Sequence, residues 1–209
     1  MYAKICGLTS VEAAEAALDA GADAIGVVIN RTSPRAIDED LAREIIAVAE
    51  KDTAKGRVDT VLVVNDLAAA DTARLADRIG ADVLQLHGTY SQVDFAAAAA
   101  LFPRLWRATS LAHDPVAVVG SFGEEALLLD APKPGSGERW DLSALANRGL
   151  TGKWILAGGL NPDNVAEAIA TARPWGVDVS SGVEFAPGVK DLDAIAKFLT
   201  AVRTAEQDL

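Results

Sequence analysis

The 209-residue chain alternates short apolar runs of strand length with longer alanine-rich stretches of helical character, about eight times over. The short runs are rich in β-branched residues, and the longer stretches carry apolar residues at helical spacing. Such strict alternation predicts parallel strands joined by right-handed helical crossovers. About eight units in this length predict an α/β fold, a single closed (β/α)8 barrel at the small end of its size range.

The boundaries of these elements follow from the hydrophobic pattern and from local start and stop signals. The predicted strands are Ala3–Cys6, Ala24–Ile29, Asp59–Val64, Val83–Leu86, Leu105–Ala108, Ala126–Leu129, Trp154–Ala157 and Val177–Val179. The predicted helices are Ser10–Ala20, Asp38–Glu50, Leu67–Ile79, Val93–Leu101, Asn164–Ala172 and Leu192–Arg203.

An open doubly wound sheet is the alternative that the same alternation allows. That fold usually has fewer strands and a glycine-rich phosphate turn after its first strand. Here the first predicted strand is followed by Cys6-Gly7-Leu8-Thr9, which is not such a turn. No proline- or glycine-rich linker divides the series, so we expect a single domain over residues 1–209.

Charge and hydropathy exclude several classes of function. The formal net charge is -11 at pH 7, whereas nucleic-acid binding requires a basic face. The longest apolar runs, such as Ala24–Ile29, are too short to cross a bilayer. The amino terminus has no apolar stretch of signal-peptide length. We therefore expect a cytoplasmic protein that binds neither nucleic acid nor membrane.

Cysteine and histidine are too few for several kinds of site. The single cysteine, Cys6, excludes an intramolecular disulfide and a cysteine-cluster metal site. Only His87 and His113 are available for a histidine-rich metal site, so no metal is expected. Amphipathic helices look alike whether they face water or a second subunit, so monomer and homodimer both stay open.

Chemistry in (β/α)8 barrels lies at the carboxyl ends of the strands, and three predicted strand ends carry chemically active side chains. Cys6 ends the first strand, Arg35 lies in the loop after the second, and Asp130 follows the sixth. Cys6 is either an activated thiol or a small buried hydrophobe. Partial burial of Asp130 would raise its pKa and make it a proton donor; the alternative is a carboxylate that orders its loop.

Glycine-rich turns follow the last two strands and predict an anion site. Gly158-Gly159 comes after the seventh strand and Ser180-Ser181-Gly182 after the eighth. Backbone N–H groups in turns at these two positions commonly bind phosphate, and glycine lets the backbone approach the anion closely. The alternative is a tight turn without a ligand.

Two further predictions concern inward-facing groups. Lys4 and Asp178 alternate in register with Cys6 and Ser180, so both should point into the barrel as a structural ion pair. His87 follows the fourth strand and either contacts a ligand or orients its loop.

Several motifs, taken together, resemble the phosphoribosylanthranilate isomerase family, and they run in order through nearly the whole chain. They are Lys4-Ile5-Cys6-Gly7-Leu8-Thr9, Ser33-Pro34-Arg35, Leu84-Gln85-Leu86-His87-Gly88, Leu156-Ala157-Gly158-Gly159-Leu160-Asn161-Pro162-Asp163-Asn164-Val165, Val177-Asp178-Val179-Ser180-Ser181-Gly182-Val183-Glu184 and Pro187-Gly188-Val189-Lys190-Asp191.

The resemblance implies a barrel of the ribulose-phosphate-binding type and an isomerase of tryptophan biosynthesis that needs neither cofactor nor metal. The implied reaction is the Amadori rearrangement of N-(5-phosphoribosyl)anthranilate to 1-(2-carboxyphenylamino)-1-deoxyribulose 5-phosphate. The resemblance also implies that Cys6 is the general base, Asp130 the general acid and Arg35 the partner of the anthranilate carboxylate. The residues it places at the phosphate are Gly158, Gly159, Ser180, Ser181 and Gly182.

The chain departs from the family pattern after the sixth strand. That segment is shorter than usual, with Pro134 where a glycine is usual, and with Trp140 and Leu142 where phenylalanine and tryptophan are usual. The run Gly135-Ser136-Gly137 in this segment is therefore a candidate substrate contact only, and His87 is a separate candidate contact at the end of the fourth strand.

Two other functions are compatible with parts of this pattern. A dual-substrate phosphoribosyl isomerase would have an aspartate at the position of Cys6 and two phosphate-binding halves, whereas one pair of phosphate turns is visible here. A non-catalytic phosphosugar-binding barrel, acting as a sensor or scaffold, would keep the turns but would need neither an acid nor a base.

Overall fold

The computed structural model describes residues 1–51, 56–131, 142, 145 and 148–209. Eight parallel strands in this part of the chain are hydrogen-bonded in chain order into a closed barrel. They are β1 Tyr2–Ile5, β2 Ala24–Val28, β3 Asp59–Val64, β4 Val83–His87, β5 Leu105–Ser110, β6 Ala126–Asp130, β7 Trp154–Leu156 and β8 Gly176–Val179. Because β8 pairs with β1 from Tyr2↔Gly176 to Ile5↔Val179, the predicted barrel is confirmed and the open-sheet alternative is wrong.

Helices connect most of the strands, and their ends follow local capping chemistry. Those in the described ranges are α1 Val11–Asp19, α2 Glu39–Lys51, α3 Ala69–Ile79, α4 Gln92–Ala99, α5 Val165–Ala172 and α6 Leu192–Gln207. The Ser10 side chain accepts a hydrogen bond from the backbone N–H of Ala13 and so begins α1. Gly80, in the left-handed region at φ 75°, ends α3. The ends of these six helices lie within a few residues of their predicted positions.

A short hairpin after β8 was not predicted from the sequence. It follows a 3-10 turn, Ser181–Val183, and consists of β9 Glu184–Ala186 and β10 Val189–Lys190. Strands of three and two residues are too short to give a detectable period-two pattern. The hairpin packs against the loop after β2, because a Cβ on Gly188 would lie 2.6 Å from the carbonyl oxygen of Pro34.

The apolar core has two parts. The larger part packs the outer face of the strands against the helices. The smaller part fills the barrel and includes Cys6, Val28, Val63, Trp106 and Leu128. Because buried side chains fill the barrel interior, a ligand site in the barrel has room only at one of its two ends.

The amino-terminal end of the barrel is closed by a network of aromatic and charged side chains. Tyr2 stacks on Trp175 with ring centroids 4.5 Å apart, and its hydroxyl donates to Asp59 Oδ2 at 2.8 Å. Arg104 donates to Asp59 at 2.5 Å and to Glu125 at 2.8 Å. These residues lie at or beside the starts of strands, so this end of the barrel is a structural face and the open mouth lies opposite.

No helix of the described residues is both long enough and apolar enough to cross a membrane. Among the same residues, no group of three or more histidine, cysteine, aspartate or glutamate side chains is placed to hold a metal ion.

Candidate active site

A cavity of about 420 Å³ opens at the carboxyl ends of the strands. The site residues predicted from the sequence that line it are Cys6, Arg35, His87, Asp130 and Ser180. These residues are far apart in the chain and meet here because parallel strands all end at the same mouth.

Asp130 is the last residue of β6, and its side chain is largely buried. Burial, and to a smaller extent the negative charge of Asp178, raise the pKa of this carboxyl to about 6, although the backbone N–H of Ala131 and the Lys4 ammonium both act to lower it. Oδ1 accepts the Ala131 N–H at 2.7 Å. A carboxyl with a pKa near 6 is still partly protonated close to neutral pH, which is what a proton donor requires.

The turn after β7 lies directly against Asp130. Gly158 adopts φ 86°, and a Cβ there would overlap the backbone of Ala131 and lie 2.8 Å from Asp130 Oδ1. Only glycine permits both this backbone conformation and this close approach. The predicted phosphate turn and the predicted acid are therefore neighbours.

Cys6 follows β1 directly, and its thiol is buried at the base of the cavity. Burial raises the pKa of the thiol, whereas the positive charge of Lys4 lowers it. Lys4 Nζ donates to Asp178 Oδ1 at 2.7 Å, which confirms the predicted ion pair inside the barrel. Burial alone would lower the pKa of Lys4, but Asp178 raises it above the usual range, so the ammonium stays charged.

His87, the last residue of β4, faces Asp130 across the cavity, with Nε2 at 3.9 Å from Asp130 Oδ2. Burial lowers the pKa of the imidazole, so the ring is neutral at pH 7. A neutral imidazole offers one donor and one acceptor to a ligand.

Arg35 is held in a bidentate ion pair that the sequence interpretation missed. Its Nε and Nη2 donate to the two carboxylate oxygens of Glu184 at 2.6 and 2.8 Å. Lys190 donates to the same carboxylate at 2.8 Å and to the carbonyl oxygen of Ser180 at 2.9 Å. Two cations and one anion leave this cluster with one net positive charge beside the turn after β8.

The two predicted phosphate turns pack against each other. A Cβ on Gly182 would overlap the carbonyl oxygen of Leu160, so the turns after β7 and β8 touch through backbone. Ser180 lines the cavity. The other predicted phosphate residues, Gly158, Gly159, Ser181 and Gly182, lie in these two turns. The predicted contacts Gly135, Ser136 and Gly137 lie outside the described residues, as do Pro134 and Trp140.

Gln85 also lines the cavity, although the sequence analysis assigned it no role. Its side chain is 2% exposed and lines the cavity from β4, and within the described part of the chain its Oε1 has no hydrogen-bond partner. A buried acceptor without a partner costs free energy unless a ligand or water satisfies it. The sequence feature that could have identified this residue is a glutamine at an inward position of an otherwise apolar strand.

The chain matches the family model described as N-(5'phosphoribosyl)anthranilate (PRA) isomerase over residues 3–201. It belongs to this family. An N-(5'-phosphoribosyl)anthranilate isomerase of Acidithiobacillus ferrooxidans is 43% identical over 204 residues, which cover 96% of each chain. The family resemblance and the enzyme class expected from the sequence motifs are thereby confirmed.

Solved structures of the N-(5'-phosphoribosyl)anthranilate isomerase family have the same fold. The crystal structure of TrpF from Jonesia denitrificans superposes with a TM-score of 0.88 at 54% identity, covering 99% of this chain and 98% of that one. A phosphoribosyl anthranilate isomerase in complex with reduced 1-(o-carboxyphenylamino)-1-deoxyribulose 5-phosphate gives a TM-score of 0.79 at 30% identity, covering 98% and 99%.

The raised pKa of Asp130 predicts a pH-dependent effect on stability. The folded state favours the protonated carboxyl, so its contribution to stability is complete below pH 3.8 and is lost as the pH rises to about 6. Relative to the unaltered protein, Asp130→Asn should therefore gain on the order of 2–3 kcal/mol in free energy of unfolding across that interval and nothing further above it. Urea denaturation at a series of pH values measures the difference; a pH-independent difference would contradict the shift.

Proposed function

We propose that the chain carries out the Amadori rearrangement of N-(5'-phosphoribosyl)anthranilate with Asp130 as general acid and Cys6 as general base. The observation that carries this proposal is a buried carboxyl from β6 and a buried thiol from β1 in one cavity at the barrel mouth. The solved relative that holds a reduced carboxyphenylamino-deoxyribulose phosphate supports a ligand of this class.

The reaction needs two proton transfers at one sugar. Asp130 donates its proton to the ribose ring oxygen as the C1–O bond breaks, which gives an open-chain Schiff base. The Cys6 thiolate then removes the C2 proton, and its electron pair forms the enolamine. The enolamine gains a proton at C1 and loses one from its C2 hydroxyl, which yields the aminoketose. Each positioned proton transfer is typically worth about 10² to 10⁴ in rate.

Because the thiol pKa is higher than the carboxyl pKa, only a small fraction of the enzyme has both groups in the protonation states that catalysis uses. The thiol pKa lies above its usual value and the carboxyl pKa lies near 6, so the abundant form at neutral pH is a thiol with a carboxylate. Catalysis uses the minor form, a thiolate with a protonated carboxyl, and the two groups titrate as a pair. Any charge that narrows the gap between these pKa values raises the productive fraction.

Attraction of an anionic substrate to this acidic chain must be local. We assign the phosphate to the backbone donors of the turns at Gly158-Gly159 and Ser180-Ser181-Gly182, with the Lys190 ammonium bound to Ser180. Arg35 faces the anthranilate carboxylate with the part of its guanidinium that Glu184 leaves unbound.

The remaining assignments rest on chemistry alone. Neutral His87 contacts a sugar hydroxyl in this proposal, and contacts from Gly135, Ser136 and Gly137 stay predictions. The reaction moves protons within one molecule, so the proposal includes no cofactor and no metal. We place the enzyme in the cytoplasm, where amino-acid biosynthesis takes place, as a monomer or a homodimer that binds neither nucleic acid nor membrane.

Removing either proton-transfer group should abolish turnover without abolishing binding. We expect Cys6→Ala and Asp130→Asn each to lower kcat by about 10² to 10⁴. The measurement follows the loss of anthranilate-type fluorescence after mixing with freshly made N-(5'-phosphoribosyl)anthranilate. Calorimetric titration with a reduced product analogue checks that the site stays intact. Full activity of Cys6→Ala would remove the general-base assignment, and binding without turnover in the unaltered protein would favour the sensor function.

The role of Arg35 predicts a change in KM that depends on the substrate carboxylate. Arg35→Ala should raise KM strongly for the natural substrate, because a ground-state contact is lost. For N-(5'-phosphoribosyl)aniline, which lacks the carboxylate, the same change should cost little, and this double comparison isolates the contact. The matched control is Arg43→Ala, an exposed arginine paired with Glu39 and Asp40. An unchanged KM, or an equal loss on both substrates, would contradict the assignment.

A further inference from the structure

We propose that Lys4 is a positioning residue for the Cys6 base: its ammonium, fixed by Asp178, stabilises the thiolate that removes the substrate proton. This inference rests on the proposed role of Cys6 and assigns a second residue to the same step. Lys4 itself does not line the cavity and acts through the sulfur.

Strand geometry places Lys4 and Cys6 on the same side of the chain. They are two residues apart at the end of β1, so both side chains point into the barrel. Lys4 is fully buried, and it is paired in register with Asp178 on β8, to which its Nζ donates at 2.7 Å. The ammonium therefore has one fixed position beneath the thiol.

Gly26 of β2 shows how close the two groups are. A Cβ on Gly26 would lie 3.2 Å from Cys6 Sγ, 3.3 Å from Lys4 Nζ and 3.1 Å from Lys4 Cε. The sulfur and the ammonium thus border the same small space, which stays free because this inward position of β2 has no side chain. Two groups that border one space of this size inside a protein are close enough for a unit charge on one to affect the ionisation of the other.

The other charges around Cys6 do not replace Lys4. From β10, Lys190 also lowers the pKa of the thiol, but Lys4 does so more strongly. Arg35, in the loop after β2, shares the carboxylate of Glu184 with Lys190, so these two cations together keep one net positive charge, and the guanidinium is held by Glu184. Asp130 and neutral His87 line the cavity from β6 and β4, and Asp178 raises the thiol pKa less than Lys4 lowers it.

Stability alone gives no reason for a charge at this position. A buried ion pair is usually no more stabilising than apolar residues of the same size, because both charges lose their hydration. An ammonium that lowers the free energy of the thiolate supplies a functional reason, since the productive form of the enzyme carries its negative charge on sulfur.

The single cysteine allows a direct test, because alkylation of this chain reports Cys6 alone. The rate of iodoacetamide labelling is measured against pH in the unaltered protein and in Lys4→Met. We expect the thiol pKa to rise by at least one unit and labelling at pH 7 to slow by about tenfold or more. Arg104→Met is the matched control, because it breaks an ion pair at the opposite end of the barrel and should leave the labelling profile unchanged.

A second comparison avoids an unpaired buried charge. Asp178→Asn keeps the Lys4 ammonium, whereas the double variant Lys4→Met/Asp178→Asn has no charge at either position. The thiol pKa should therefore be higher in the double variant than in Asp178→Asn. Equal thiol pKa values in these two proteins, or an unchanged profile in Lys4→Met, would overturn the inference. Labelling needs no substrate, so this result is separate from the proposed function, whose general-base assignment fails if Cys6→Ala keeps its activity.

Discussion

The chemistry that we propose for this barrel depends on one interaction, the ion pair between Lys4 and Asp178. It joins β1 to β8 where the sheet closes, and it lies beneath both proposed proton-transfer groups. On Cys6, the pKa-lowering effect of Lys4 exceeds the opposite effect of Asp178. On Asp130, the pKa-raising effect of Asp178 exceeds the opposite effect of Lys4. The pair therefore acts as a buried dipole that favours the thiolate and the protonated carboxyl together.

We propose that a second group of charges binds the anionic substrate, which a chain of net charge -11 would otherwise repel. Arg35, Glu184 and Lys190 join the loop after β2 to the hairpin after β8 and leave one positive charge at the mouth. The hairpin is also tied to the loop after β1, since the Thr9 hydroxyl donates to the carbonyl oxygen of Gly188 at 2.6 Å. In the proposed function, binding and proton transfer thus depend on separate ionic clusters that meet at Ser180 and Cys6.

The strand–helix alternation predicted the barrel because each unit is long enough to show its hydrophobic period. Strand ends then gave Cys6 and Asp130, and period-two register gave the inward-facing Lys4 and Asp178. The bond between Arg35 and Glu184 was not predictable, because it spans 149 positions and depends on a hairpin too short to leave a pattern. The raised pKa of Asp130 was expected only as a direction, since its size depends on burial and on charges from other strands.

The most direct measurement of the acid–base assignment is the pH dependence of kcat/KM for the unaltered protein, because kcat/KM reports the ionisations of the free enzyme. Turnover requires one proton on the Asp130–Cys6 pair, so the profile should be bell-shaped, with its acid limb near pH 6. Its alkaline limb should coincide with the thiol pKa found by alkylation of Cys6. A rate that stays constant through pH 6, or an alkaline limb unrelated to the thiol, would contradict the joint role of these two groups.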